Sequence, residues 1–148
     1  MTRSQAASPH ARAPRKSDYV TLARFRSALR GFLRFVEAGA HAAGITPQQH
    51  QLLLYLRGQP DREWATVGEI AAEFRLRHHS AVELTKRAAT AGLVRRSPDP
   101  FDRRRVRIET SALGRRTRAR LTRRNRRELT ALRHMLDEAI RTRGLDAI

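Results

Sequence analysis

Two short helical patterns joined by only a few residues constrain this chain more than any other feature. "TVGEIAAEF", Thr66–Phe74, opens on a capping box, with Thr66 as cap and Glu69 three residues later. Val67, Ile70, Ala71 and Phe74 supply its inner face. "LRHHSAVELTKRAATAGLV" follows, with Ala81, Leu84, Ala88 and Ala91 at helical spacing and Gly92 as the stop. Arg77, His78, His79, Ser80, Glu83, Lys86, Arg87 and Thr90 are left facing outward. The pair predicts a helix-turn-helix. The second helix of that motif enters a DNA major groove with its first residues at base edges.

The next stretch changes period. "LVRRS", Leu93–Ser97, leaves the helix as a strand. "RVRIET", Arg105–Thr110, alternates: Val106, Ile108 and Thr110 on one face, Arg105, Arg107 and Glu109 on the other. Between them "PDPFDR" is a proline-punctuated hairpin tip. A two-stranded hairpin alone is marginal, so it must lean on the helices through Val94, Val106 and Ile108. Its tip presents Arg103, Arg104 and Arg105, and it is narrow enough to reach a minor groove. Asp102 precedes three mutually repelling guanidiniums. One carboxylate can accept a forked pair from one of them and fix its direction, so Asp102 is expected to orient an arginine rather than to catalyse.

Flanking helices complete the pattern. Leu22, Phe25, Leu29, Phe32, Val36 and Ala40 make an apolar stripe from Asp18 onward, ended by Gly44. "TPQQHQLLLYLRG" carries Thr46 as cap, Pro47 at the first helical position and Gln49 to close a box. Its Leu52–Leu56 run predicts a helix buried nearly all round. Trp64 and Ala65 are candidates for one short strand. After Ser111 or Thr110 as cap, Leu113, Thr117 and Leu121 are expected inward. Leu129, Leu132, Leu136, Ala139 and Ile140 continue the stripe in one helix, or in two broken near Asn125. The terminal stripes have more apolar face than intrachain neighbours cover, and pairing them across a two-fold axis would bury both. The expected organisation is a disordered basic arm over 1–17 and a dimerisation helix over 18–44. A winged helix-turn-helix over 45–111 and C-terminal dimerisation helices over 112–148 follow. The fold class is mainly α with a small β-wing.

Charge narrows the partners. The chain holds 31 Lys+Arg against 14 Asp+Glu, a net charge of +17. The bases are clustered, which favours nucleic acid over an anionic membrane surface. There is no cysteine, which excludes disulfides, thiol redox sensing and cysteine catalysis. No apolar run approaches membrane-spanning length and no signal-peptide segment is visible, so a cytoplasmic location is expected. The six histidines do not suggest a metal site: His78 and His79 adjoin on the presumed DNA face, and His41 and His50 are more simply surface or capping residues. No cofactor is expected.

These motifs, in this order, resemble the MarR family of bacterial winged-helix regulators. "AGLVRRSPDPFDRRRVRI" followed by "TSALG" matches the family's wing and the start of the helix after it. "RHHSAVEL" resembles a recurrent recognition-helix variant. The resemblance implies a homodimer built on the terminal helices, with two lobes binding a palindromic operator. It implies that Asp102 and Arg104 are the wing's acid and minor-groove arginine, that Arg107 is its trailing base, and that His78 to Arg87 form the recognition helix. It also implies a small aromatic or anionic effector, of unspecified identity. Two departures stand out: Thr85 and Ala88 replace apolar residues late in the recognition helix, and the C-terminal helix is far more basic than the pattern requires.

The expected function is a sequence-specific transcriptional regulator, most often a repressor, with half-sites roughly 10 base pairs apart. His79, Ser80, Glu83 and Arg87 are the candidate base readers, and Lys86, Arg77 and Arg105 the candidate phosphate contacts. The alternative is a sequence-tolerant, basic DNA-coating protein. An enzyme is not expected: Ser80 beside His78 or His79 is the one nucleophile–base proximity, and it sits on a basic helix face.

Overall fold

The computed structural model describes residues 13–141, with side chains through 138. The arm expected over 1–17 falls largely outside the described residues, and its last two positions are already helical. Helix α1 runs Lys16–Ala42. It starts before Asp18: the Asp18 carboxylate, in the first turn, reaches back to accept the backbone N–H of Arg15 at 2.7 Å and ties down the residue that precedes the helix. Helix α2, Pro47–Arg57, begins on the expected box: Thr46 accepts from the Gln49 N–H, and Gln49 accepts from the Thr46 N–H at 2.9 Å. Strand β1, Trp64–Thr66, leads directly into α3, Val67–Glu73, whose Thr66–Glu69 box is also formed. Helix α4, His78–Thr90, strands β2, Val94–Pro98, and β3, Val106–Thr110, and helix α5, Ala112–Arg141, complete the order.

The strands form one antiparallel sheet in the order β1-β3-β2. Ile108 on the central strand faces Ala65 on one side and Arg96 on the other. The third strand removes the marginality of a lone hairpin. Fully buried Leu52, Leu53, Leu56, Ile70, Leu93 and Ile108 make the core, with Ala81, Leu84 and Ala88 bringing α4 against it. Each such side chain contributes roughly 1.5–3 kcal/mol when taken from water.

Several expectations shift in detail. Leu54 is exposed, so α2 is buried on one face rather than all round. Ala91 is exposed beyond the end of α4. Leu113 is 43% exposed, and Gly114 takes the inner position beside Thr117 and Leu121. A Cβ on Gly114 would collide with the Leu93 carbonyl and the Thr110 methyl, so close helix–strand approach requires glycine there. Helix α5 is continuous through Asn125, because one asparagine costs a helix interior only about 0.7 kcal/mol against the strong formers around it.

By compactness the chain divides into two units. Arg34–Glu128 forms one; the described residues before Arg34 together with those after Glu128 form the other. The first holds the whole winged helix. In the second, Tyr19, Leu22, Leu33, Leu129 and Met135 are exposed large apolar side chains. No described helix is long and apolar enough to cross a membrane.

Candidate nucleic-acid interface

Helix α4 is seated by its inner face and left open at its start. Arg77 is the N-cap and makes no side-chain cap bond, so the first turn keeps its N–H groups outward. Arg77, His78, His79, Glu83, Lys86 and Arg87 are exposed, as expected from their spacing, whereas Ser80, expected outward, is half-buried. Glu83 and Lys86 come together at 3.4 Å. Both are well exposed, so the pair contributes little to stability and is free to exchange partners. The turn into α4 is tight: Arg75 has φ 51°, the one positive φ at a non-glycine among the described residues.

The thin inner face at Thr85 has a structural use. Thr85 is fully buried and donates to the Val82 carbonyl at 2.9 Å. Arg96 of β2 reaches under the helix and donates to the Thr85 hydroxyl at 2.7 Å and the Val82 carbonyl at 3.1 Å. A larger apolar residue at 85 would displace this guanidinium. Arg96 thus ties the wing's first strand to the middle of α4.

The wing tip is organised by two carboxylates. Asp99 is buried; its Oδ1 accepts the Phe101 N–H at 2.8 Å and the Asp102 N–H at 3.3 Å, and its Oδ2 accepts from Arg107 Nε at 3.0 Å. The Phe101 backbone bond and then the Arg107 guanidinium hold the Asp99 carboxyl below its ordinary range, against the burial that would raise it. Asp102 accepts both the backbone N–H and Nε of Arg104, at 3.1 and 3.2 Å, and approaches Arg105 Nε at 3.6 Å. It therefore steers two arginines rather than forking onto one. Arg104 nonetheless stands 91% exposed, with Arg103 and Arg105 also outward.

Arg107 is the misplaced expectation. Strand alternation puts it on the face opposite Ile108, but β1 covers that side with Trp64. The Arg107 guanidinium lies 3.6 Å from the Trp64 ring centroid and its side chain is only 15% exposed. Arg62 lies over the same ring at 4.2 Å and pairs with Glu69 of the α3 box. Burial pushes Glu69 upward, but the Thr66 N–H and Arg62 together hold its carboxyl below the usual range. A continuous path of contacts, Asp99–Arg107–Trp64–Arg62–Glu69, therefore ties the wing tip to the first helix of the helix-turn-helix.

Sequence reasoning missed Asp99, Arg96 and Phe101. Phe101 is 91% exposed at the tip. The two prolines around Asp99 were a usable signal for a fixed turn, but nothing local distinguished Arg96 from its exposed neighbour Arg95. An open groove of about 450 Å³ lies between α3, the start of α4 and the wing, lined by Gly68, His78, Val82, Arg96, Arg104 and Arg105 among others. No cluster of metal-ligating side chains occurs among the described residues.

Residues 43–105 match the model of the MarR family. No curated protein matches the chain. Among solved structures, AbsC, a MarR family transcriptional regulator from Streptomyces coelicolor, is 16% identical, with TM-score 0.67 over 88% of this chain and 93% of its own. YusO from Bacillus subtilis is 16% identical, with TM-score 0.68 over 91% of this chain and all of its own. A point mutant of S. aureus MepR bound to an oligodeoxyribonucleotide is 23% identical, with TM-score 0.63 over 77% of this chain and 80% of its own. Over residues 43–105, which hold the helix-turn-helix and the first part of the wing, this chain is similar to the MarR family.

Proposed function

We propose that the chain is a sequence-specific DNA-binding regulator that grips a palindromic operator as a homodimer. In this reading α4 lies in a major groove and the wing in the adjacent minor groove. The observation that carries it is the wing tip: Arg104 is held outward by Asp102 on a turn that Asp99 and Arg107 make rigid. A pre-oriented guanidinium loses little freedom when it enters the concentrated potential of a minor groove. The MepR mutant bound to an oligodeoxyribonucleotide has the same fold and supports the same use here.

Roles follow from exposure and chemistry. His79, Ser80, Glu83 and Arg87 read base edges, with Glu accepting from cytosine and Arg forking onto guanine. Arg77, Lys86 and Arg105 hold phosphates, and Arg103 adds charge beside them. His78 lines the groove through which the strand between the two DNA grooves would pass. Phe101 sets an apolar face against the sugars next to Arg104. Arg107 serves as a positioning residue rather than a contact. Repression, and release by a small aromatic or anionic ligand, rest on the family resemblance alone; a thermal-shift screen of aromatic carboxylates checks the ligand.

The test is discrimination. An operator selected from a random pool should bind at least about a thousandfold tighter than a shuffled duplex at physiological salt. Arg104→Ala should lose most of the affinity at the selected site. Equal affinity for both duplexes would support the DNA-coating alternative instead.

A further inference from the structure

Eight arginines crowd residues 115–127, and the structure sorts seven of them, all but Arg126, into two groups. Three serve the protein's own packing. Arg115 donates to the Thr110 carbonyl at 3.0 Å, Arg118 reaches the Leu53 carbonyl at 3.5 Å, and Arg124 lies over the Phe35 ring at 4.2 Å. Four others, Arg116, Arg120, Arg123 and Arg127, are exposed on α5. Their spacing of four, three and four puts them in one line about 17 Å long. The line is turned roughly 120° round the helix from Gly114, Thr117 and Leu121, which face inward.

Between its first and last arginine the ladder has no counter-charge in its own helix. No carboxylate occurs between Glu109 and Glu128. Like charges three and four residues apart repel and weaken the helix that carries them. Nothing apolar larger than Ala119 lies within this line, so the face lacks the side chains with which a surface helix enters a bilayer. A row of outward guanidiniums at regular rise matches a row of phosphates, which are themselves regularly spaced and accept from the guanidinium fork.

We propose that Arg116, Arg120, Arg123 and Arg127 form a second, sequence-independent seat for the backbone of double-stranded DNA. It is distinct from α4 and the wing and takes duplex beyond the operator contacts. The proposal rests on the reading of this chain as a DNA-binding protein. It differs from that reading in asking nothing of base sequence.

The experiment uses the full chain and a 40-base-pair random-sequence duplex as probe, titrated across salt. The variant Arg116→Gln/Arg120→Gln/Arg123→Gln/Arg127→Gln should bind about tenfold or more weakly at 50 mM salt. Its slope of log K against log salt should be shallower by about 2–4, near 0.9 for each phosphate that is no longer neutralised. The matching quadruple lysine variant keeps the charges and should keep most of the slope. The glutamine variant relieves repulsion and should melt no lower than wild type. If it fails to fold, the double variants Arg116→Gln/Arg120→Gln and Arg123→Gln/Arg127→Gln should each remove about half of the slope change. A glutamine variant with the wild-type slope overturns the proposal. So does a variant that loses binding to phosphatidylserine vesicles while its DNA slope is unchanged, which would assign the ladder to a membrane. Arg104→Ala on the selected operator tests the regulator reading separately. The ladder stands if its slope change appears even where operator preference does not.

Discussion

At the scale of single residues, the wing depends on which carboxylate holds which arginine. Asp102 takes both the backbone and side-chain N–H of Arg104, so Asp102→Asn should weaken operator binding several-fold although it raises the net positive charge. Fluorescence anisotropy on the selected operator checks this, and tighter binding would mean the carboxylate only opposes DNA. A second prediction concerns His50 of α2, which is buried rather than at the surface as expected. Desolvation holds its imidazole below the ordinary 6.5. A depressed histidine is neutral in the folded protein, so its contribution is present above pH 6.5 and lost as pH falls below it. The melting temperature should drop as pH falls through this range, and His50→Leu should flatten that dependence. The outward residues of α4 were legible in the sequence because helical spacing alone separates them from Ala81, Leu84 and Ala88. Arg107 was not, because strand alternation gives a face but not its cover. Only the pairing of β1 with β3 brings Trp64 over it.

At the scale of elements, capping chemistry is local and so was readable. Thr46–Gln49 and Thr66–Glu69 both form the boxes their spacing implies. Tertiary contacts decided what local pattern could not. Leu113 fits an inward helical position, yet α5 is drawn in so closely at Gly114 that the contact surface rotates past it. Gly114→Ala should therefore cost stability despite alanine's better helix propensity, by about 2–3 kcal/mol through overpacking against Leu93 and Thr110. Chemical denaturation measures this; a stabilised variant would show that the approach is loose. The continuity of α5 through Asn125 was likewise undecidable from a residue that neither favours nor forbids a helix.

At the scale of the whole molecule, the net charge and the motif order indicated a DNA-binding winged helix. The terminal helices add an exposed apolar surface that one chain leaves uncovered. Leu22 is 59% exposed, and Leu129 and Met135 are 53% exposed each. A homodimer should sediment at twice the 16.9 kDa of one chain, and Leu22→Glu with Leu129→Glu should shift it to the monomer and lower operator affinity. An unshifted mass would place the dimer contact elsewhere. The measurement that bears most directly on the central claim is a footprint on the selected operator. Guanine N7 protection in each major groove should lie beside loss of minor-groove cleavage, repeated at roughly 10 base pairs, and Arg104→Ala should restore the minor-groove cleavage alone. Protection that is unchanged in Arg104→Ala, or confined to a single groove, would contradict the account.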